Sequence, residues 1–197
     1  IKSLFDESIV AKAVDLETGT YDETVDPASY DQRKATQDPA LSRAAEANAA
    51  GSPRLPHKAV VYQKVVGGEV EMLILPIEGK GLWSTLYGFL ALAPDTTTIE
   101  GITFYEHGET PGLGGEVDNP SWKELWPGRK AYDENWRPAI EVMKGTAGPV
   151  DEDPYRVDGL SGSTLTARGV TNLVQFWLGD NGFEPYLEKL RAEGSSS

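Results

Sequence analysis

The segment from Asp158 to Thr166 carries residue types that suit an anion-binding turn. It reads Asp-Gly-Leu-Ser-Gly-Ser-Thr-Leu-Thr and stands directly before an amphipathic run. Small residues let backbone N–H groups converge on an anion where a helix begins, and hydroxyl side chains add donors. Ser and Thr are also ordinary N-cap residues, so the segment alone favours helix capping over phosphate binding. A serine hydrolase is disfavoured because Ser161 lacks the Gly-x-Ser-x-Gly frame.

A second segment, from His107 to Glu116, is rich in glycine and reads His-Gly-Glu-Thr-Pro-Gly-Leu-Gly-Gly-Glu. Glycines allow the backbone to approach a flat ligand closely or to form an unusual turn. The spacing is not that of a Gly-x-Gly-x-x-Gly fingerprint, and no amphipathic helix follows. Taken alone, the segment indicates a structured loop in which His107 forms hydrogen bonds at a strand end.

A third segment, Gly-Lys-Gly-Leu-Trp-Ser-Thr at residues 79–85, lacks the first glycine and the spacing of a P-loop. Its Trp83 has two possible roles, stacking on an aromatic ligand or filling the core. The core role is favoured when this segment is considered by itself.

Together these segments resemble one family. Residues 79–84, 103–116 and 157–166 are closely similar to the C subunit of the sodium-translocating NADH:quinone oxidoreductase. The resemblance runs from near Phe5 to near Arg191, which is essentially the whole chain. Because the similar segments are long and specific, they outweigh the separate interpretation of each.

The resemblance implies a covalently bound flavin mononucleotide (FMN). In this family the motif is Asp-Gly-x-Ser/Thr-Gly-Ala-Thr, and its final Thr is joined to the FMN phosphate by a phosphoester bond. The matching residue here is Thr164, while Ser163 stands where the family usually has Ala. Both residues are small, so we expect the attachment site to be retained. We expect the change from Ala to Ser to affect how the flavin-attaching transferase recognises the motif. The resemblance also places these residues around the flavin: Trp83, Ser84, Glu109, Thr110, Leu113, Gly114, Lys144, Leu160, Ser161, Gly162 and Ser163.

The function that the resemblance implies is electron transfer within a sodium-pumping complex. Electrons would pass from the NADH side through FMN on this chain to FMN on the B subunit, and then by way of riboflavin to quinone. No residue need act as a catalytic acid or base, so the isolated domain is not expected to turn over NADH or quinone. The implied partners are the other subunits, especially the B subunit, and the flavin-attaching transferase during maturation.

Two alternatives remain open. The G subunit of the Rnf electron-transport complex shares the Thr–flavin motif, although residues 104–116 and the segment around Trp83 favour the quinone reductase. A ligand-binding or structural module without a covalent cofactor is the alternative from another class.

The resemblance further implies a location. We expect a single membrane helix upstream of Ile1, because the family has one and the sequence does not start with Met. It would anchor a periplasmic domain to the inner membrane of a Gram-negative cell.

Composition excludes several other functions. The chain has 31 acidic and 18 basic residues and a net charge of −13, which disfavours binding to nucleic acid. It contains no cysteine, so a disulfide scaffold, a thiolate-held iron–sulfur cluster and a Cys nucleophile are excluded. The two histidines, His57 and His107, match no common metal-site spacing, so we expect no metal.

The pattern of apolar residues predicts an α+β fold, with an antiparallel or mixed sheet and flanking helices. Strands are predicted at residues 59–65, 69–77, 87–93 and 99–107, the first pair joined across Gly67-Gly68. Helices are predicted at residues 166–178 and 184–191. Strands and helices do not alternate as they would in a doubly wound fold.

The expected domain organisation has three parts. Residues 1–57 are polar and form a peripheral segment packed on the core, with a helix start at residues 26–30 and a weak helix or loop at residues 40–50. Residues 58–194 form the FMN-binding domain. Residues 195–197 are an appended serine tail.

Overall fold

A five-stranded antiparallel sheet forms the centre of the fold in this computed structural model, which describes residues 9–194. The strands are β1 (Ile9–Asp15), β2 (Ser42–Ala44), β3 (Arg54–Pro56), β4 (Lys58–Val66), β5 (Glu69–Lys80), β6 (Thr85–Leu92), β7 (Ile99–Glu106), β8 (Glu141–Val142) and β9 (Arg156–Val157). The helices are α1 (Gln32–Gln37), a 3-10 helix (Gly114–Asp118), α2 (Pro120–Lys123), α3 (Thr164–Leu178) and α4 (Glu184–Gly194). The predicted serine tail lies outside the described residues.

The main sheet has the strand order β1-β4-β5-β6-β7, and the four predicted strands are its last four members. The hairpin at Gly67-Gly68 is confirmed, and both glycines have the positive φ that such a turn requires. Two further pairs, antiparallel β2–β3 and parallel β8–β9, lie outside this sheet. The predicted α+β class is therefore confirmed.

Helix α3 covers one face of the sheet and supplies much of the core. As the helical spacing predicts, its apolar side is buried, with Val170, Leu173, Val174 and Leu178 fully inaccessible to solvent. These side chains meet the inward-facing residues of β5. The indole N–H of Trp177 donates to the backbone oxygen of Glu78 at 2.7 Å, which fixes the position of the helix on that strand.

The N-terminal segment differs from the prediction in three places. Strand β1, which the sequence pattern did not reveal, pairs with β4 and forms one edge of the main sheet. Residues 26–30 form turns instead of a helix start, because the Asp26 carboxylate accepts the Ala28 N–H at 3.0 Å. The helix begins after Asp31, whose side chain caps Lys34 N at 3.1 Å.

Of the two alternatives predicted for residues 40–50, a weak helix or a loop, the helix is wrong, since these residues contain β2 and turns. The division of the chain at residues 57 and 58 stays a prediction. Over residues 9–194, the chain has no helix with both the length and the apolar character needed to cross a membrane.

Helix α3 also approaches the end of β5 unusually closely. A Cβ atom at Gly169 would lie 2.5 Å from the Lys80 carbonyl oxygen and 3.0 Å from the Gly81 Cα. Only glycine permits this approach, which brings the first turns of α3 against the segment that follows β5.

We predict that Gly169→Ala destabilises the fold by about 1–3 kcal/mol, even though Ala favours a helix over Gly by about 1 kcal/mol. The matched control is Gly101→Ala, where an added Cβ meets no atom within 4 Å and should change stability by less than about 0.5 kcal/mol. Urea unfolding of both variants measures the difference. Equal stability of the two would contradict the close approach.

Candidate functional site

The carboxylate of Glu109 binds the turn that follows β5. This side chain lies in the loop after β7 and is almost fully buried. It accepts the backbone N–H groups of Leu82 at 3.2 Å, Trp83 at 3.0 Å and Ser84 at 3.1 Å. Three consecutive donors on one carboxylate fix the shape of the turn.

The same carboxylate is also bound to the start of α3. The Thr166 hydroxyl, fully buried, donates to Glu109 Oε2 at 2.7 Å. The Ser163 hydroxyl donates in turn to Thr166 Oγ1 at 2.9 Å. On the other side, the Ser84 hydroxyl donates to Glu109 Oε1 at 3.3 Å and accepts the Gly108 N–H at 2.7 Å. Glu109 thus connects three segments that are distant in sequence.

The ionised form of Glu109 is favoured by these donors. Burial acts to raise the pKa of Glu109, but hydrogen bonds from Thr166 and from the backbone N–H groups of Trp83, Ser84 and Leu82 outweigh it and hold the pKa below its ordinary value. The site therefore contains a fixed negative charge at neutral pH.

Two glycines make room for this network. A Cβ at Gly81 would lie 2.5 Å from Glu109 Oε1, and a Cβ at Gly114 would lie 2.5 Å from Thr166 Oγ1. Glycine at these positions is therefore explained by the packing of Glu109 and Thr166 alone. For the glycines of residues 107–116, which include Gly114, the sequence suggested close approach to a flat ligand or an unusual turn, and the packing against Thr166 is a further reason for Gly114.

The N-terminus of α3 lacks the side-chain cap that the Asp158–Thr166 segment predicts. Ser163 is the N-cap residue, but within the described part of the chain its hydroxyl makes no capping bond and is directed to Thr166 instead. The helix capping that the segment alone favoured is therefore not made by the side chain of the N-cap residue. Thr164, the first helical residue, is exposed to solvent.

A groove of about 730 Å³ opens beside Thr164. Residues from three segments line it, among them Lys144, Asp158, Leu160, Ser161, Gly162 and Arg168. Lys144 and Arg168 are exposed cations. Arg168 was missed by the sequence prediction, although it follows Thr164 by four residues and so lies on the same helix face.

The loop that carries Lys144 is held against the predicted flavin motif. Gly159 N–H donates to the Gly145 oxygen at 2.8 Å, and the Asp158 carboxylate accepts the Ala147 N–H at 2.9 Å. The indole of Trp122 donates to the Asp158 carbonyl oxygen at 2.9 Å. Asp158, the first residue of the motif, therefore positions the loop around the groove.

Leu113 brings the glycine-rich loop close to Gly162, which lines the groove. Its Cδ2 atom lies 3.0 Å from the position of a Cβ at Gly162, and its side chain is 43% exposed. The Thr110 carbonyl closes the loop by accepting the N–H groups of Leu113 at 3.1 Å and Gly115 at 2.9 Å. By contrast, the Trp83 side chain is 72% exposed, and only its backbone is bound to Glu109.

His107 forms the hydrogen bonds expected of it at the end of β7. Its Nδ1 accepts the Glu109 N–H at 3.1 Å, so Nε2 carries the hydrogen that is shared with Asp118 at 2.7 Å. Within residues 9–194, no three His, Asp or Glu side chains are grouped so that they could hold a metal ion.

Comparison with known proteins agrees with this arrangement. The FMN-binding domain family matches residues 81–179, a span that contains Glu109, Lys144 and Thr164. The chain is 50% identical over 194 residues to the C subunit of the Na(+)-translocating NADH-quinone reductase of Pseudomonas aeruginosa, covering 97% of this chain and 74% of the relative. It belongs to this C-subunit family. The Vibrio vulnificus member is 48% identical, with 98% and 76% covered.

Solved structures of the family share the fold. The crystal structure of Shewanella oneidensis NqrC matches with a TM-score of 0.91 at 35% identity, covering 97% of this chain and 88% of that one. The C subunit from Parabacteroides distasonis matches with a TM-score of 0.71 at 28% identity, covering 94% and 81%. The resemblance stated from the sequence is thus confirmed over nearly the whole described chain.

We predict that Glu109→Gln destabilises the protein by about 2–3 kcal/mol at pH 7, because a neutral amide cannot accept all of these donors. The folded pKa of Glu109 lies below its ordinary value of 4.5, so its stabilisation is present above that pH and is lost as pH falls through the folded pKa. The difference between wild type and variant should therefore shrink below pH 4.5, as denaturant unfolding at several pH values would measure.

Ser163→Ala serves as the control, since it removes the outermost hydroxyl and leaves every bond to Glu109 in place. It should cost about 1 kcal/mol or less with no such pH dependence. A Glu109→Gln variant as stable as wild type at pH 7 would refute the assigned role.

Proposed function

We propose that this chain is an electron-transfer domain that carries FMN through a phosphoester bond to Thr164. The observation that supports this most is the position of Thr164, exposed at the first turn of a 15-residue helix whose N-cap side chain is turned away. Backbone N–H groups at such a terminus favour a phosphate, and the helix dipole adds to the attraction.

The groove beside Thr164 suits the rest of the cofactor. Its volume of about 730 Å³ falls within the roughly 300–1,000 Å³ typical of small-molecule sites. Lys144 and Arg168 line it and would offset the phosphate charge on a chain whose net charge is −13. A covalent bond also prevents loss of an anionic cofactor from so acidic a protein.

The surrounding loops would hold the flavin ring. Leu113 lies beside Gly162 at the groove and offers an apolar contact. The backbone of Trp83 and Ser84 is held by Glu109, and Thr110 and Gly114 belong to a loop that is closed by its own backbone hydrogen bonds. Bound FMN would supply the electron chemistry, while the chain supplies placement and electrostatic environment. Glu109 is occupied by its donors, so we assign it to positioning the loops.

In the assembled reductase, we propose that electrons pass from this domain to the FMN of the B subunit. The domain would be anchored to the inner membrane, face the periplasm and receive its flavin from a transferase. This proposal is supported by relatives that are 44–50% identical and are named as the C subunit of the Na(+)-translocating NADH-quinone reductase. The isolated chain is not expected to turn over NADH or quinone.

The two alternative functions differ from the proposed one in the complex that the chain joins or in the mass of the purified chain. Family membership favours the reductase over the Rnf complex, whose G subunit shares the Thr–flavin motif. A structural module without a covalent cofactor would have the mass of the unmodified polypeptide after expression with the transferase. Intact-mass spectrometry therefore distinguishes it from the proposed flavoprotein.

We predict that Thr164→Val abolishes covalent attachment of FMN, because the acceptor hydroxyl is lost while shape and exposure are kept. Co-expression with the flavin transferase in the periplasm should give a yellow wild-type protein, and expression without the transferase should give mostly unmodified chain. Acid-stable flavin is measured by mass spectrometry and by fluorescence of the denatured protein.

The control for Thr164→Val is Thr146→Val, which removes another exposed hydroxyl from the same groove. This control should still be flavinylated. Acid-stable flavin on the Thr164→Val protein would show that the attachment site is elsewhere.

We predict that Leu113→Glu lowers the reduction potential of the bound FMN. Two unit charges about 5 Å apart at an effective dielectric constant of about 20 interact by roughly 3 kcal/mol, and solvent around an exposed Glu screens part of that. Even about 1 kcal/mol is a shift of tens of millivolts for a one-electron step. Potentiometric titration of the flavinylated variant measures it.

Leu113→Gln is the matched control, since it has the same size as Glu without the charge and should shift the potential far less. Attachment should persist in both variants because Leu113 lies outside the Asp158–Thr164 motif. Equal potentials for the Glu and Gln variants would place the loop away from the ring.

A further inference from the structure

The face of the main sheet that is turned away from α3 contains an unassigned cleft. Side chains alternate along β5, so Ile77 enters the core, whereas Pro76 and Glu78 lie on this outer face. Glu78 is opposite Tyr87 on β6, and Pro76 is opposite Phe89. The cleft has a volume of about 460 Å³ and is partly covered by residues 28–34.

Aromatic side chains from three strands form the floor of the cleft. The ring of Phe89 lies 6.0 Å from that of Tyr62 and 5.4 Å from that of Tyr105, centroid to centroid. The Tyr87 ring lies 6.4 Å from that of Tyr105. Tyr105 is 55% exposed, so part of this aromatic surface faces solvent.

The other charged groups at the cleft already have partners. Arg33 donates two hydrogen bonds to Glu106, at 2.7 and 3.1 Å, and stacks 3.7 Å above the Tyr87 ring. Lys34 pairs with Asp31 at 3.5 Å. Glu78 is different, because its carboxylate makes no hydrogen bond or ion pair with any of residues 9–194.

An unpaired carboxylate in such surroundings is unfavourable. Burial raises the pKa of Glu78, and the nearby Arg33 charge only partly opposes this. A cation placed between the carboxylate and the aromatic rings would be stabilised both by the ion pair and by cation–π attraction. The cleft therefore has the chemistry of a site for an ammonium or guanidinium group.

A neighbouring groove indicates which kind of molecule carries that cation. It has a volume of about 500 Å³, shares Tyr62 and Phe89 with the cleft, and is extended by Met72 and Ile74. The lining of this groove is mostly apolar and includes one exposed carboxylate, Glu100. The groove and the cleft together are larger than a small cation needs, whereas they match a protein segment with apolar residues beside a Lys or Arg.

We propose that this outer face docks another protein of the reductase, whose lysine or arginine side chain enters the cleft and pairs with Glu78 beside the Phe89 and Tyr105 rings. The proposal rests on the proposed assembly of the chain into the reductase. It concerns a different surface from the flavin groove: Glu78 accepts a hydrogen bond from Trp177 of α3 through its backbone, while its side chain lies on the opposite face.

Chemical labelling of the isolated chain and of the assembled reductase tests the docking. Carbodiimide-activated labelling with glycinamide should modify Glu78 in the isolated chain and about five-fold less in the complex, with parallel protection of Tyr105 against a tyrosine reagent. Glu69, exposed at the far end of β5, is the control and should react equally in both.

Substitution tests the role of the charge. Complexes with Glu78→Gln should lose about ten-fold in docking affinity, seen as renewed labelling of Tyr105, and Glu78→Lys should lose more. Glu69→Gln should have no effect. Because Glu78 has no partner to lose within residues 9–194, the isolated Glu78→Gln chain should melt at the same temperature as wild type or higher, which excludes misfolding as the cause.

Four outcomes would overturn the proposal. Equal labelling of Glu78 and Tyr105 in chain and complex would mean that the face is uncovered. If Tyr105 stays equally protected from labelling in complexes that carry Glu78→Gln or Glu78→Lys, no cation is recognised by Glu78. Full protection of the isolated chain by tetramethylammonium or guanidinium would indicate a small-cation site. Absence of the chain from the purified complex would overturn the proposed assembly as well.

Discussion

The buried carboxylate of Glu109 is the interaction on which the arrangement of the site depends. Its oxygens accept the backbone donors of the turn at residues 82–84 on one side and the Thr166 hydroxyl of α3 on the other. Hydrogen bonds to an ionised group are stronger than those between neutral groups, and burial makes an unmet donor or charge costly. The three segments therefore stabilise one another and would all shift if this residue were displaced.

This network also explains why the start of α3 is open. In an ordinary helix the N-cap hydroxyl turns back to the first N–H groups, but here Ser163 donates to Thr166 inside the network. The first N–H groups of α3 are therefore left without a hydrogen bond from the N-cap side chain. Because the Ser163 hydroxyl is bound to Thr166, the start of α3 has no side-chain cap from this residue. A helix N-terminus of this kind attracts anions, and our proposed function uses this property.

The two faces of the sheet have different chemistry. The inner face is covered by α3 and forms a continuous apolar core, whereas the outer face keeps an aromatic surface and a Glu78 carboxylate that no group among residues 9–194 pairs with. A carrier domain needs both a site that holds its cofactor rigidly and a surface through which it meets its partners. In our two proposals, the cofactor groove lies beside α3, which covers the inner face of the sheet, and the partner surface lies on the outer face.

Sequence alone determined the family, the α+β class, the four central strands and the buried side of α3, because apolar periodicity and long specific motifs are local properties of the chain. It also identified Thr164 as a candidate. It missed β1, since an edge strand with only one neighbour carries a weak pattern, and it proposed a helix start at residues 26–30 where an Asx turn prevails.

Only the tertiary structure decided which groups surround Ser163, Glu109 and Glu78. Ser163 has the residue type of a helix cap, but its hydroxyl donates to Thr166. Thr166 is held in turn by Glu109, which is 57 positions away from it in the sequence, so this arrangement cannot be read from the local sequence. Glu78 is one of 31 acidic residues, and its isolation depends on which side chains β4, β6 and β7 place beside it. Local sequence sets propensities and motifs, whereas the partners of a buried charge are fixed by contacts between segments far apart in the chain.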